Sequence, residues 1–198
     1  MQGGLYVGKI VGFKCVRCGQ VYPPDLGAQL FEGCPACAQV DAPANLSTLY
    51  DYTAVTPSGL LKSLKARPRN MWRYLELLPA QSLEEVVTLE EGCTPMVRLR
   101  ELEKRFGIGR LFVKEEYRNP TGSYKDRLAA CALTHAVQAG ANVVTVASTG
   151  NHGASTAAYA SRAGKDCVIF TLASVPMTMK VMMQVYGAHL VACEKSED

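Results

Sequence analysis

Long apolar runs are missing: none in the 198 residues approaches the ~18 that a membrane-spanning helix needs. The opening MQGGLYVGKIVGFKC has neither the continuous apolar core nor the small-residue cleavage site of a secretory signal. The expectation is a cytoplasmic protein with no membrane partner. Charge of one sign is scarce too, since 21 Lys and Arg against 18 Asp and Glu leave a surplus of +3. That is too small to single out nucleic acid, which selects a concentrated basic face. Neither GxGxxG nor the Gly-Lys-Ser/Thr ending of a Walker loop occurs, which removes two common phosphate fingerprints. No internal repeat or low-complexity segment is visible. What remains, 48% hydrophobic and 20% charged, is the composition of a folded protein, and the length suits one ordinary domain plus a small module.

The cysteines divide the chain. Four of the eight fall in the first 37 residues, as Cys15-x-x-Cys18, a spacer of fifteen, and Cys34-x-x-Cys37. This is zinc-ribbon spacing: each pair turns two sulfurs to one side, and two pairs complete a tetrahedral site with no open position, so the zinc would be structural. Gly19, Gly33 and Pro35 supply turn chemistry around the pairs. Two disulfides are the competing reading, disfavoured by a cytoplasmic compartment. Cys93, Cys131, Cys167 and Cys193 are scattered and read as small buried apolar side chains.

Residues 46–95 read as a connecting arm with short helices, punctuated by Pro57, Pro68, Pro79 and Pro95. Its basic residues Lys62, Lys65, Arg67, Arg69 and Arg73 could form a nucleic-acid patch. With Met71, Trp72, Tyr74 and Leu75 interleaved, an amphipathic segment packed on a body is the preferred reading. From residue 110 the pattern is regular. Strands are expected at Leu111 to Lys114, Val143 to Ala147, Cys167 to Leu172 and Leu190 to Cys193. Helices are expected from Leu128, Ala132, Leu133, Ala136 and Val137, then Ala154, Ala157, Ala158 and Ala160, then Met179, Met182, Val185 and Tyr186, stopped by Gly140, Gly164 and Gly187. Short apolar strands separated by helices predict an α/β fold with a doubly wound parallel sheet.

Ligands of such sheets bind beyond the carboxyl ends of the strands, and two loops there are unusual. In Asn119-Pro-Thr-Gly-Ser-Tyr-Lys125-Asp126-Arg127, Pro120 and Gly122 set a turn, Ser123 is a candidate N-cap and Lys125 enters the first helical turn. The positive end of the helix dipole disfavours the lysine's charge, and a neutral amine is what attacks an aldehyde. A solvated lysine beside Asp126 is the plainer alternative. The second loop, Ser148-Thr149-Gly150-Asn151-His152-Gly153, follows a strand that reads as buried and opens the small-residue helix. Its glycines, N–H groups and hydroxyls could cradle a phosphate or carboxylate, or it is an ordinary βα turn. His152 reads as a general base or as a hydrogen-bonded structural residue.

Taken together, these loops resemble those of the fold type II pyridoxal phosphate enzymes, and within them the threonine synthases. Matching pieces occur in order: the CxxC pairs, Tyr50-Asp51-Tyr52, Trp72-Arg73-Tyr74, Glu91-Gly92-Cys93-Thr94-Pro95, NPTGSYKDR, ASTGN, AAYASRAG and Tyr186-Gly187-Ala188. The resemblance implies that Lys125 carries pyridoxal phosphate covalently and shuttles protons, that Asn151 hydrogen-bonds the cofactor's 3-hydroxyl, and that Ser148, Thr149, Gly150, Asn151 and His152 grip the substrate α-carboxylate. It implies conversion of O-phosphohomoserine and water to threonine and phosphate, a small amino-acid substrate and a dimer. The layout expected is a zinc-ribbon-like module over 1–45, the arm over 46–95 and a pyridoxal-phosphate-binding α/β region over 96–198.

The sequence departs from the family pattern at Cys93, where asparagine is usual, at Tyr124, where phenylalanine is usual, and at His152, which resembles the serine/threonine dehydratases. Dehydration or β-replacement, as in cysteate synthase, is therefore the alternative chemistry. A zinc-ribbon module bound to nucleic acid is the alternative from another class. Family members are substantially longer, and no second glycine-rich loop for the cofactor phosphate follows here. The expectation is a partial chain, or one completed by a second chain, that binds the cofactor weakly alone.

Overall fold

The computed structural model describes residues 10–26, 29–55, 63–80 and 83–194. Pro57, Lys62, the residues before Ile10 and the last four lie outside them. Two compact units result, one from residues up to Arg67 with Tyr74–Leu83, the other from Pro68–Arg73 and Glu84 onward. The expected arm thus contributes to both.

In the first unit, strands β1 (Ile10–Cys15), β2 (Val21–Tyr22) and β3 (Leu46–Tyr50) form an antiparallel sheet in the order β2-β1-β3. Cys15 ends β1 opposite Leu46, so the sheet draws in residues the sequence reading assigned to the arm. Short helices α1 (Gln29–Glu32) and α2 (Pro35–Ala38) lie between β2 and β3, and α3 (Tyr52–Val55) follows. Pro35 opens α2 directly after Cys34, where a missing N–H costs nothing.

The second unit begins with an antiparallel pair, β4 (Met96–Arg98) and β5 (Phe112–Lys114), joined through α4 (Arg100–Phe106). The expected strand at Leu111 to Lys114 exists but pairs with β4 and does not join the parallel sheet. That sheet is built from β6 (Val143–Ala147), β7 (Asp166–Leu172) and β8 (His189–Cys193), all parallel, in the order β6-β7-β8. Helix α5 (Lys125–Gln138) precedes β6, while α6 (Asn151–Arg162) and α7 (Met177–Val185) connect the strands. The α/β class with a parallel sheet is as expected. Among the described residues the strand order runs without reversal, which by the right-handed crossover rule puts both connecting helices on one face.

Helix α6 is central, buried continuously from Gly153 to Ala160 and packed against α5, α7 and β7. Its alanines allow that close approach, as the sequence predicted. The inward side of β7 presents Cys167, Ile169 and Thr171. Two periodicity readings shift. The buried stripe of α5 is Asp126, Ala129, Ala130, Leu133 and Thr134, with Leu128 exposed; that of α7 centres on Met183, with Val185 75% exposed. Strand β6, read as buried, alternates between exposed and half-buried, because no described element covers the far side of Val143, Thr145 and Ala147. Gly140, Gly164 and Gly187 do terminate the helices, at φ +78, +64 and +90°. In the basic segment Met71, Trp72 and Leu75 are buried, and Arg67 pairs bidentately with Glu76 at 2.7 and 2.5 Å, the packed arrangement. Among the described residues no helix is long and apolar enough to cross a membrane.

Candidate functional site

The loop 119–124 is built by its own side chains before it delivers Lys125. Gly122 N–H donates to the Asn119 carbonyl at 2.8 Å, closing the turn that Pro120 starts. Tyr124, not Ser123, is the cap residue, yet Ser123 Oγ accepts the Lys125 N–H at 3.2 Å and so does a cap's work one residue earlier. Lys125 is half-buried, its Nζ 5.0 Å from the centre of the exposed Tyr124 ring. Asp126, the next residue of the helix, turns inward. It is completely buried and its carboxylate accepts from the Thr121 N–H at 2.7 Å and the Thr121 hydroxyl at 2.5 Å.

The second loop leaves the carboxyl end of β6. Ser148 Oγ turns inward and accepts the N–H groups of Gly153 at 2.8 Å and Gly150 at 3.3 Å, so it caps α6 from beneath. Thr149 and Asn151 are exposed and Gly150 is half-buried. His152 Nδ1 is buried without a hydrogen-bond partner. Burial holds the His152 pKa below the ordinary histidine value, and the charge of Lys125 pushes it the same way. The segments bearing the two loops are joined by the 2.9 Å contact of Thr121 Oγ1 with Ser155 Oγ. A cavity of about 530 Å³ opens at this end of the sheet, lined by Ser148, Thr149 and His152 together with Ala147, Phe170, Thr171, Leu172 and Cys193. Lys125, Gly150 and Asn151 are not among its walls. Thr171 Oγ1, buried and unpartnered, is a second orphaned polar atom there. An amine, a twelve-residue helix N-terminus with the exposed Thr149 hydroxyl beside it, and two polar atoms without a partner among the described residues form a donor set that fits an anionic aldehyde.

Sequence reasoning passed over the groups that brace these loops. Glu91 is fully buried and accepts from Tyr159 Oη at 2.6 Å and the Leu89 N–H at 3.0 Å; the carboxylate raises the already burial-raised pKa of Tyr159. Gly92 N–H donates to Asn119 Oδ1 at 3.0 Å. Glycine is required there, since φ is +100° and a Cβ would lie 2.7 Å from Met71 N. Glu116 pairs with Arg127 at 2.8 Å and accepts the Thr94 hydroxyl at 2.6 Å. The Arg127 guanidinium, ahead of burial acting oppositely, brings its carboxyl down to about 2. One signal was available: Asp126, Ala129, Ala130 and Leu133 share a helical face, which marks Asp126 as inward.

In the first unit the four sulfurs of Cys15, Cys18, Cys34 and Cys37 lie within 4.8 Å of one another. Cys15 and Cys37 are 3.7 Å apart, as are Cys18 and Cys34. All four are free thiols, and no pair sits at the ~2.05 Å of a disulfide. The edge of a tetrahedron with ~2.3 Å zinc–sulfur bonds is about 3.8 Å. Burial raises the Cys15 thiol, but N–H donation from Cys18 and Arg17 outweighs it and brings it to about 6; burial and the neighbouring sulfurs push Cys37 up to about 12. Among the scattered cysteines Cys167 is buried as expected, Cys93 and Cys131 are half-buried, and Cys193 is exposed.

The threonine synthase of Methanocaldococcus jannaschii is 37% identical over 186 residues, which are 93% of this chain and 44% of that protein. The threonine synthase of Methanosarcina acetivorans is 34% identical, covering 93% and 43%, and that of a Synechocystis species is 42% identical over 127 residues, 63% and 33%. The chain spans less than half the length of these relatives. Residues 87–198, more than half of the chain, match the family described as pyridoxal-phosphate dependent enzyme. That span contains Lys125 and both loops, and the chain belongs to the family of pyridoxal-phosphate-dependent enzymes.

Proposed function

We propose that the chain carries the amine and carboxylate-binding part of a lyase that converts O-phosphohomoserine and water to threonine and phosphate. The observation that carries this reading is the buried 2.9 Å hydrogen bond between Thr121 Oγ1 and Ser155 Oγ, which ties the segment leading into Lys125 to the helix that the 148–152 loop opens. Lys125 Nζ is the amine that would hold the cofactor, and it moves protons at the substrate's carbon atoms. When bound, pyridoxal phosphate supplies an electron sink for charge developing on those carbons. Asn151, exposed at the first residue of α6, would accept or donate at the cofactor's 3-hydroxyl. The Thr149 hydroxyl and the N–H groups of Asn151 and His152, in the loop that Gly150 shapes, orient the substrate carboxylate, while Ser148 holds the loop from below through the N–H groups of Gly150 and Gly153. His152 works as a neutral hydrogen-bonding group, because burial and Lys125 both disfavour its cation.

Cys15, Cys18, Cys34 and Cys37 would hold a structural zinc, supported by their 3.7 Å sulfur separations. The substrate is a small amino acid, the compartment cytoplasmic, and the partner a second copy or a complementing chain. His152 directly after Asn151 favours a second reading, elimination from a hydroxy-amino acid. The test is addition of pyridoxal phosphate, an absorbance spectrum, borohydride reduction and peptide mapping. The label is expected on Lys125; a label scattered over surface lysines overturns the assignment. Product analysis with O-phosphohomoserine, threonine and O-phosphoserine separates the two chemistries.

A further inference from the structure

Beside the proposed site, three hydrogen bonds, two of them buried and one part-buried, close into a ring. Gly92 N–H donates to Asn119 Oδ1 at 3.0 Å. Two residues on, Thr121 Oγ1 meets Ser155 Oγ of α6 at 2.9 Å. One helical turn beyond Ser155, Tyr159 Oη donates to Glu91 Oε2 at 2.6 Å, and Glu91 adjoins Gly92. Because the Thr121 proton is taken by Asp126, Ser155 is the donor to Thr121, so the direction of every link is defined. Asn119, Thr121, Ser155, Tyr159 and Glu91 are all buried, Ser155, Tyr159 and Glu91 completely.

We infer that this ring is a positioning frame that sets Lys125 against the 148–152 loop. It joins three segments, 91–92, 119–121 and 155–159, by one bond per pair. Displacing any one segment breaks two bonds at once, and at the two buried links each broken bond strands a donor or acceptor. Lys125 lies four residues after Thr121 and beside Asp126, which clamps Thr121. His152 lies three residues before Ser155. The ring members touch neither cofactor nor substrate in the proposed reading; they act through the segments that bear Lys125 and His152. The role as a frame for the cofactor rests on that reading, whereas the coupling around the ring does not.

The experiment therefore has a readout without cofactor and one with it. Tyr159→Phe opens the ring at the link farthest in sequence from Lys125, and Thr121→Val opens it next to the lysine. Amide hydrogen exchange on the chain alone is expected to quicken in residues 119–127 in Tyr159→Phe. The double variant should exchange there no faster than the faster single variant, because an opened ring has nothing further to lose. With pyridoxal phosphate and borohydride, the share of label on Lys125 should fall at least about fivefold in either variant, the scale of a misplaced reacting group, and Thr121→Ser should restore it. Exchange changes confined to 88–92 and 156–160 in Tyr159→Phe, or additive effects in the double variant, overturn the frame. Ser155→Ala opens the Thr121–Ser155 link from the α6 side and carries the same expectation if Tyr159→Phe does not fold. Absence of selective label on unaltered Lys125 defeats the proposed function, and the exchange result still decides the ring.

Discussion

The two units are organised by opposite means. In the first, a three-stranded sheet and two one-turn helices surround Cys15, Cys34 and Cys37, and among the described residues Tyr22, Ala44 and Leu46 pack against them. Around the cysteines these few apolar contacts supply little burial energy, and the proposed zinc would add a cross-link there. In the second, α6 is enclosed on every side and Ile169 and Met183 are fully buried, so apolar packing does the holding and buried polar groups do the aligning. Small folds rest on few strong bonds, larger ones on many weak contacts.

That contrast can be broken experimentally. The largest effect expected is from metal removal: a strong chelator, or Cys34→Ser, should abolish exchange protection across residues 10–50 while β7 keeps its protection. Equal loss in both regions would show that the second unit has no stability of its own. Next is Ile169→Ala, which removes a fully buried side chain and should cost about 2–5 kcal/mol in denaturant unfolding. A cost under ~1 kcal/mol would mean that the sheet and α6 are not packed as described. The smallest effect is pH-dependent and concerns Glu116, whose carboxyl is held down to about 2 chiefly by Arg127. A depressed carboxyl pKa contributes stability that is fully present above its unfolded value near 4.5 and is lost as pH falls toward 2. Glu116→Gln should flatten that loss between about pH 4.5 and pH 2, measured by thermal unfolding, and an unchanged slope would show that the Arg127 pair does not form.

Legibility from sequence differed between the units for the same reason. The four cysteines could be grouped from spacing alone, because a CxxC turn is a local geometry that spacing records. The strands of the parallel sheet and the helix stops were legible because apolar periodicity and glycine are local too. Strand pairing was not: nothing in Leu111 to Lys114 says that its partner is Met96–Arg98, 14 residues or more before it in the chain. Nor did periodicity place the stripe of α5, since Leu128 is apolar yet exposed and Asp126 is charged yet completely buried. The buried face follows the available partners, Thr121 and α6, before it follows hydrophobicity.

The sequence by itself determined which groups can do chemistry: an amine at a helix start, a glycine- and hydroxyl-rich loop at another, and four thiols in two turns. These follow from residue type and short-range geometry. Only the tertiary structure decided that the two loops share a frame, that Asp126 braces and does not solvate, and that Glu91 reaches Tyr159 across 68 residues of chain. Such contacts are fixed by the packing of distant segments, which no local pattern encodes.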